Sequence, residues 1–251
     1  LFAATPPLEA MKLLFAGAVT EGIGYMGDDW ALGMKLDFID IRRAYFHAPA
    51  RRNVYIELPE DEKEDGYCGR LMKSMYGTRD AAQNWEEAYA EFMTSIGFTR
   101  GRASTCTFFH KDRKLRVVVH GDDFTVLGWK EELDWFREKI KGRFEVKCRG
   151  RIGPDTEDEK SIRILNRVLE WKADGLHYEA DQRHGEILIR HLELGSSSKA
   201  VGTPGIKEKR EDWEKAEEEK LGDREATMYR ACAARANYLS QDRADIQFAT
   251  K

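Results

Sequence analysis

The apolar residues of this chain recur at helical spacing in several segments, most clearly over residues 80–96. Four large apolar residues there lie 4, 3 and 4 positions apart, on one face of a helix: Trp85, Tyr89, Phe92 and Ile96. Gly97 follows as a residue type that commonly ends helices. The same spacing predicts helices over residues 8–21, 130–141, 181–194, 207–221 and 226–240.

Strands are predicted by a different pattern. Residues 34–41 are apolar on both faces, which is typical of a central buried strand. Further strands are predicted over residues 54–59, 106–110, 115–120, 124–127, 144–148, 162–171 and 176–179. Turns at 111–114, 121–123 and 173–175 join consecutive strands. Strands mixed with helices, followed by a helical stretch from residue 181 onward, predict the α+β fold class.

Composition narrows the class of protein. Of the 251 residues, 41% are hydrophobic, which is enough for a core, and no apolar run approaches the ~18 residues of a membrane span. Lys and Arg (41) nearly balance Asp and Glu (45), so the chain lacks the basic excess usual in nucleic-acid binders. The four Cys lie 38, 42 and 84 residues apart, which excludes zinc-ligand spacing and predicts buried, reduced thiols. Because the chain begins at Leu1 without a signal-peptide pattern, we interpret it as a fragment or excised domain.

Two acidic positions carry the candidate chemistry. Asp40 stands at the end of the buried strand, where an ionised carboxylate is costly unless it is paired or binds a metal. Asp122 and Asp123 stand together at the tip of a predicted hairpin, and a hard divalent cation would relieve their repulsion. Brought together, the three carboxylates form a ligand set for two-metal phosphoryl transfer. Taken singly, Gly-Asp-Asp is also an ordinary turn and Asp40 an ordinary helix cap.

Five segments occur in a recognisable order. They are Asp40-Ile-Arg-Arg-Ala-Tyr-Phe-His47, Val54-Tyr-Ile-Glu-Leu-Pro59, Ser74-Met-Tyr-Gly-Thr-Arg-Asp-Ala-Ala-Gln-Asn-Trp85, His120-Gly-Asp-Asp123, and a closing part with Val201-Gly-Thr-Pro204 and residues 229–249. In this order they resemble the reverse transcriptase of copia-type long-terminal-repeat retrotransposons. The likeness covers essentially the whole chain.

The resemblance implies a right-hand polymerase and assigns roles to named residues. Asp40, Asp122 and Asp123 would be the catalytic ligands of two Mg²⁺ ions (or Mn²⁺), assisted by the carbonyl of Ile41. Tyr45 would exclude a 2′-hydroxyl, although a packed core aromatic is the alternative. Arg42 and Arg43 would reach triphosphate oxygens, with a surface salt bridge as the alternative for each. Gly77 and Arg79 would contact the template–nucleotide pair.

The resemblance also implies a domain plan: residues 1–30 as a remnant of the fingers, 31–179 as the palm, and 180–251 as a helical, thumb-like region. Most of the fingers are expected to be missing. Trp171 lies where a primer-gripping hairpin belongs, although a core position is the alternative. Asp80 stands where the family usually has Gln, and an extra acid near the triphosphate should weaken substrate binding. His120-Gly121 replaces the usual Tyr-Val.

The implied function is RNA-directed DNA synthesis, in which a nucleotidyltransferase adds deoxynucleoside triphosphates to a primer 3′-hydroxyl. The implied partners are an RNA template, a DNA primer and a larger Pol polyprotein with integrase and ribonuclease H, in cytoplasmic virus-like particles. The alternative is a catalytically inactive remnant that at most binds nucleic acid.

Overall fold

The structure of the protein is a computed structural model that describes residues 3–27, 32–199, 202–203 and 221–250. The chain divides into two compact units. The first comprises Leu1–Ile162 with Glu170–Leu176, and the second comprises Arg163–Leu169 with His177–Lys251. The naming of residues 1–30, 31–179 and 180–251 as fingers, palm and thumb stays a prediction.

The first unit combines helices with short and long strands. Its helices are α1 (Leu8–Ala18), α2 (Ala81–Ser95) and α3 (Lys130–Lys141), with a short 3-10 helix at Ala44–His47. Its strands are β1 (Lys35–Ile41), β2 (Tyr55–Ile56), β3 (Gly69–Arg70), β4 (Thr99–Arg100), β5 (Thr107–His110), β6 (Leu115–His120), β7 (Asp123–Gly128) and β8 (Val146–Ile152). The helices predicted over 8–21, 80–96 and 130–141 and the strand predicted over 34–41 are thereby confirmed.

One sheet organises the first unit. Its strand order is β4-β5-β6-β7-β1-β8, and the pairs on either side of β1 are antiparallel. β1 is therefore an inner strand, and six of its seven residues are buried, as its apolar pattern predicts. β8 is an edge strand of this sheet. The strand predicted over residues 54–59 is shorter than expected, because only Tyr55–Ile56 pairs, with β3.

The core lies between the sheet and two helices. The predicted stripe of α2 packs there through Trp85, Tyr89 and Phe92, together with the apolar face of α3. Ile39 and Ile41 of β1 project into the same core. Because side chains alternate along a strand, Asp40 projects to the opposite face of the sheet, away from α2 and α3. The mixture of helices and antiparallel strands confirms the α+β class.

The prediction of a single strand over residues 162–171 is wrong. The segment forms two strands, β9 (Ser161–Ile164) and β10 (Arg167–Lys172), followed by β11 (Gly175–Glu179) in a sheet of order β11-β10-β9. Leu165 and Asn166 between them both have positive φ, 44° and 63°. Two such residues match the tight turns that follow the twist of a hairpin, and Asn tolerates this conformation well. Because apolar residues lie on both sides of this turn, the sequence pattern resembles one continuous strand.

The second unit is mostly helical in its described part, with α4 (Gln182–His191), α5 (Asp223–Ser240) and α6 (Ala244–Gln247). The side chain of Asp181 accepts a hydrogen bond from the amide of Arg183 and so caps α4. The helices predicted over 181–194 and 226–240 are confirmed. The helix predicted over 207–221 lies outside the described residues up to position 220, as do two of the four residues of the segment 201–204.

The prediction of buried thiols holds for two of the four Cys. Cys106 and Cys232 are buried, whereas Cys68 and Cys148 are exposed. Cys148 lies on the edge strand β8. None of the described helices combines the length and the apolar character needed to cross a membrane.

Candidate active site

The sheet brings two of the predicted acids together. In the antiparallel pairing of β1 with β7, Asp40 lies directly opposite Asp123. The amide of Ile41 donates a hydrogen bond of 2.9 Å to the carbonyl of Asp122, which fixes the end of β1 to the hairpin tip. Residues far apart in sequence thus become cross-strand neighbours, at the end of the sheet where both acidic motifs were expected.

Asp122 occupies a different environment. It is exposed at the tip of the β6–β7 hairpin, next to Gly121, whose φ of 65° suits a tight turn. Among the residues that the structure describes, no group of three or more His, Cys, Asp or Glu side chains is placed to hold a metal ion. The register therefore brings two carboxylates together and leaves the third beside them in solvent.

A cation from β8 completes the arrangement, and the sequence interpretation missed it. Nη2 of Arg149 donates a hydrogen bond to Oδ2 of Asp40 and lies 3.2 Å from Oδ1 of Asp123. One guanidinium nitrogen is therefore shared by both carboxylates. The sequence around Arg149, a few residues after α3, does not indicate this contact, because the contact depends on how β8 pairs with β1.

The charges of the site act on one another. Burial raises the pKa of Asp123, Arg149 opposes this, and the neighbouring charges of Asp122 and Asp40 raise it further, so that the pKa lies above its usual range. The hydrogen bond to Asp40 raises the pKa of Arg149. Although Asp122 is exposed, its charge is close enough to act on both groups.

The donor set suits a hard divalent cation. Asp40 and Asp123 present carboxylate oxygens, which Mg²⁺ and Mn²⁺ prefer over nitrogen or sulfur ligands. Their oxygens already share one positively charged group, so their spacing permits a common cation. The role predicted for the Ile41 carbonyl stays a prediction.

A tryptophan anchors the hairpin tip. Nε1 of Trp85, at the start of α2, donates a hydrogen bond of 2.9 Å to the carbonyl of Gly121. The Trp85 ring is buried and packs edge-on against Tyr89 and Phe144. The helical stripe predicts Trp85 as a core residue, and the structure adds a second role, because its polar edge reaches the loop that carries Asp122.

Tyr45 lies beside the acids, on the 3-10 helix that follows β1. Its ring stacks on Tyr76, with centroids 4.3 Å apart and planes inclined by 27°. It also packs against the core, which agrees with the alternative of a packed aromatic. Burial, then Tyr76, then Asp122 raise its pKa. Tyr76 is a further site residue that the sequence interpretation did not single out, although it lies within the segment 74–85.

Arg42 and Arg43 both face Glu145. Nη1 of Arg42 is 3.6 Å and Nη2 of Arg43 is 2.5 Å from its carboxylate oxygens. This is the surface salt bridge that was the alternative for each residue. All three side chains are well exposed, so solvent screens these pairs and either Arg can leave at little cost.

The segment 74–85 passes through a turn at residues 76–80 and then enters α2. Gly77 has a φ of 86°, a conformation that glycine adopts without strain, and Arg79 is exposed. Their predicted contacts with a template–nucleotide pair stay predictions. The carboxylate of Asp80 is bound by Nε of Arg52 at 2.9 Å and by Nδ2 of Asn84 at 3.2 Å. The expected repulsion assumed an uncompensated acid, whereas this carboxylate is paired.

Comparisons with known proteins bear on these residues. The sequence profile of a family described as reverse transcriptase (RNA-dependent DNA polymerase) matches residues 2–154. The chain is similar to the retrovirus-related Pol polyprotein from transposon TNT 1-94 of Nicotiana tabacum, 24% identical over 105 residues, which are 39% of this chain and 8% of the relative. It is also similar to the transposon Ty1-DR4 Gag-Pol polyprotein of Saccharomyces cerevisiae, 22% identical over 177 residues, 67% of this chain and 11% of the relative. The chain spans about a tenth of the length of these curated relatives.

Proposed function

The chain belongs to the reverse transcriptase (RNA-dependent DNA polymerase) family, of the copia type, and we propose that it carries out RNA-directed DNA synthesis. The reaction is transfer of a nucleotide from a deoxynucleoside triphosphate to a primer 3′-hydroxyl on an RNA template. We further propose that the sheet of the first unit is the palm of a right-hand polymerase and that the helices after residue 180 belong to a thumb.

In this proposal Asp40, Asp122 and Asp123 hold two Mg²⁺ ions, or Mn²⁺ in their place. Such a pair of ions activates the attacking oxygen and stabilises the leaving one. The chain's own residues orient the substrates. Arg42 and Arg43 leave Glu145 to bind triphosphate oxygens, since Arg suits bidentate phosphate contacts and these exposed ion pairs are weak.

The remaining site residues shape the nucleotide pocket in this proposal. Tyr45 excludes a 2′-hydroxyl, and its stack on Tyr76 holds the ring in place. Gly77 and Arg79 contact the template–nucleotide pair.

One observation carries the proposal. Asp40 and Asp123 are opposed in the β1–β7 register with a single cationic nitrogen between their oxygens. Like charges directly opposite one another destabilise a strand pair. A fold that nevertheless places two carboxylates there, at the end of its inner strand, has a site for positive charge. For a member of the reverse transcriptase family, we propose that this site binds the pair of metal ions that supports nucleotide transfer.

Primer extension tests this function. The wild-type chain, and a longer protein containing it, are incubated with an RNA template, a DNA primer, deoxynucleoside triphosphates and Mg²⁺. We expect incorporation by the wild type and a loss of at least about a hundredfold in Asp40→Asn, Asp122→Asn and Asp123→Asn. Asp112→Asn is the matched control, because Asp112 is an exposed acid in the turn between β5 and β6. Incorporation unaffected by Asp122→Asn, or absent from both proteins, contradicts the proposal.

Arg149 favours a second candidate function, binding of nucleic acid without catalysis. Arg149 offsets one of the two negative charges of the carboxylate pair, and Asp122 remains in solvent, which suits a remnant that binds nucleic acid without catalysis. Thermal unfolding with Mg²⁺ or Mn²⁺ and binding of an RNA–DNA duplex separate the two functions. Duplex binding without any stabilisation by metal favours the remnant.

We also propose that the chain is a segment of a larger Pol polyprotein that carries integrase and ribonuclease H and assembles in cytoplasmic virus-like particles. The names of its relatives, Pol and Gag-Pol polyproteins, support this proposal. Detection of the chain's peptides in particles purified from the source cells tests it.

A further inference from the structure

Arg149 occupies a special position on β8. Phe38 of β1 pairs with Gly150, and the next residue, Ile39, pairs with Cys148, so the register shifts at this point. Arg149 is therefore the extra residue of a bulge. Bulges are common on edge strands and beside active sites, where they redirect a side chain. Here the redirected side chain reaches the two carboxylates.

The contact places one positive charge between two negative ones. Nη2 of Arg149 bonds Oδ2 of Asp40 and lies 3.2 Å from Oδ1 of Asp123. A cation bridging Asp40 and Asp123 would occupy the space between their carboxylates, where the guanidinium lies and would repel it. The guanidinium and a bridging metal ion therefore compete for one position.

Arg149 is also able to leave. It belongs to an edge strand, and about a third of its side chain (34%) is exposed. In the described part of the chain, its ion pairs are those with Asp40 and Asp123. Withdrawal into solvent would therefore leave the core packing of the sheet unchanged.

We propose that Arg149 is a built-in counter-ion of the Asp40–Asp123 pair, which holds the two strands together without metal and must withdraw before a divalent cation binds. This inference rests on the proposed metal-binding function. It makes Arg149 a positioning residue that sets metal affinity. The apparent dissociation constant equals the intrinsic one divided by the fraction of molecules in which Arg149 has withdrawn.

The test measures Mn²⁺ binding by isothermal titration calorimetry, with Mn²⁺ alone as the probe. We expect Arg149→Gln to tighten Mn²⁺ binding by about tenfold, since the competing charge is gone. We expect Arg149→Lys to lie between this variant and the wild type, because a single ammonium still competes but is a point charge on a flexible stem. Without metal, Arg149→Gln should melt at a lower temperature than the wild type, and Mn²⁺ should restore more of its stability.

Lys147→Gln is the matched control for charge. Lys147 is exposed on the same strand and lies opposite Asp40 in the register. Its removal changes the net charge as Arg149→Gln does, but it breaks no ion pair that the structure shows with either acid. We expect an effect below about twofold at moderate salt, where exposed charges are screened. An equal gain in both variants would show a general charge effect and overturn the proposal.

Further outcomes separate the two proposals. If Asp123→Asn weakens Mn²⁺ binding while Arg149→Gln leaves it unchanged, the counter-ion role is overturned and the metal site stands. If neither the wild type nor Arg149→Gln binds Mn²⁺ at these acids, the proposed metal site fails, and the counter-ion role fails with it. A second readout is NMR of the Arg149 guanidinium, identified by its loss in Arg149→Lys. Addition of Mg²⁺ to the wild type should change its signal, and an unchanged signal at saturating Mg²⁺ contradicts withdrawal.

Discussion

The edge strand that carries Arg149 is held by a buried acid, Asp37, and this contact yields a quantitative prediction. Asp37 is 0% exposed. Its two carboxylate oxygens accept hydrogen bonds of 2.5 and 2.9 Å from Arg137 of α3 and of 2.6 and 3.0 Å from Arg151 of β8. One carboxylate thus joins β1, α3 and β8. Because Arg151 is two residues from Arg149, loss of this junction should loosen the strand beside the Asp40–Asp123 pair.

Asp37→Ala should lower the free energy of unfolding by about 3–5 kcal/mol, the usual cost of removing one partner from a buried ion pair. The cost should lie toward the lower end, because the side chains of Arg137 and Arg151 are 23% and 12% exposed and can recover some hydration. Asp37→Asn should cost somewhat less, about 2–4 kcal/mol, because it keeps the shape and one acceptor oxygen. Its NH2 group is a donor that cannot accept from either Arg, so the hydrogen bonds to the other oxygen are lost together with the negative charge.

The assay is urea unfolding, with amide hydrogen exchange followed on β1 and β8 to locate the loss. Asp134→Asn is the control, because Asp134 also binds Arg151, at 2.7 Å, but its side chain is 55% exposed. We expect it to cost less than about 1 kcal/mol. The reasoning is refuted if Asp37→Ala stays within about 1 kcal/mol of the wild type, or if exchange accelerates equally in strands remote from β8.

Three further predictions concern contacts around the site. Trp85→Phe keeps most of the ring but loses the hydrogen bond to the carbonyl of Gly121. The free energy of unfolding should therefore fall by about 1 kcal/mol, and amide exchange at the hairpin tip should accelerate. Unchanged exchange there contradicts the anchoring role. A double-mutant cycle of Tyr45→Ala and Tyr76→Ala should give a coupling of about 0.5–1.5 kcal/mol from their stacking, and additive effects contradict it. Burial opposes ionisation of Asp80, but hydrogen bonds from its Arg and Asn partners hold its pKa below the ordinary 3.8. Asp80→Asn should therefore destabilise the protein above pH 3.8, and the difference from the wild type should vanish as the pH falls below the pKa in the folded protein. A difference that persists in acid contradicts this assignment.

Elements with a strong local period were predictable from the sequence. The helix of Trp85 and Tyr89 was predicted within one residue at each end, because its apolar stripe recurs over about three turns. The strand before Asp40 was predicted as well, because it carries apolar residues on both of its faces and these need burial. The turn at Leu165 and Asn166 was missed, since a two-residue turn changes neither the period nor the polarity of its surroundings enough to be seen.

The site itself was predictable only in part, and the reason is electrostatic. Adjacent and opposed carboxylates need a positive charge, which the sequence interpretation inferred correctly and assigned to metal. The structure supplies that charge from Arg149. Nothing local to residues 146–152 indicates this, because the contact requires β8 to pair with β1 and to shift its register by one residue beside Ile39. Sequence thus predicts that a cation is needed, whereas the long-range register decides which cation is present. For this reason the decisive measurement compares Mn²⁺ binding by Arg149→Gln with Mn²⁺ binding by Lys147→Gln. A gain in affinity in Arg149→Gln alone indicates a site in which metal replaces the guanidinium, whereas no gain indicates a site in which the guanidinium stays bound to the two acids.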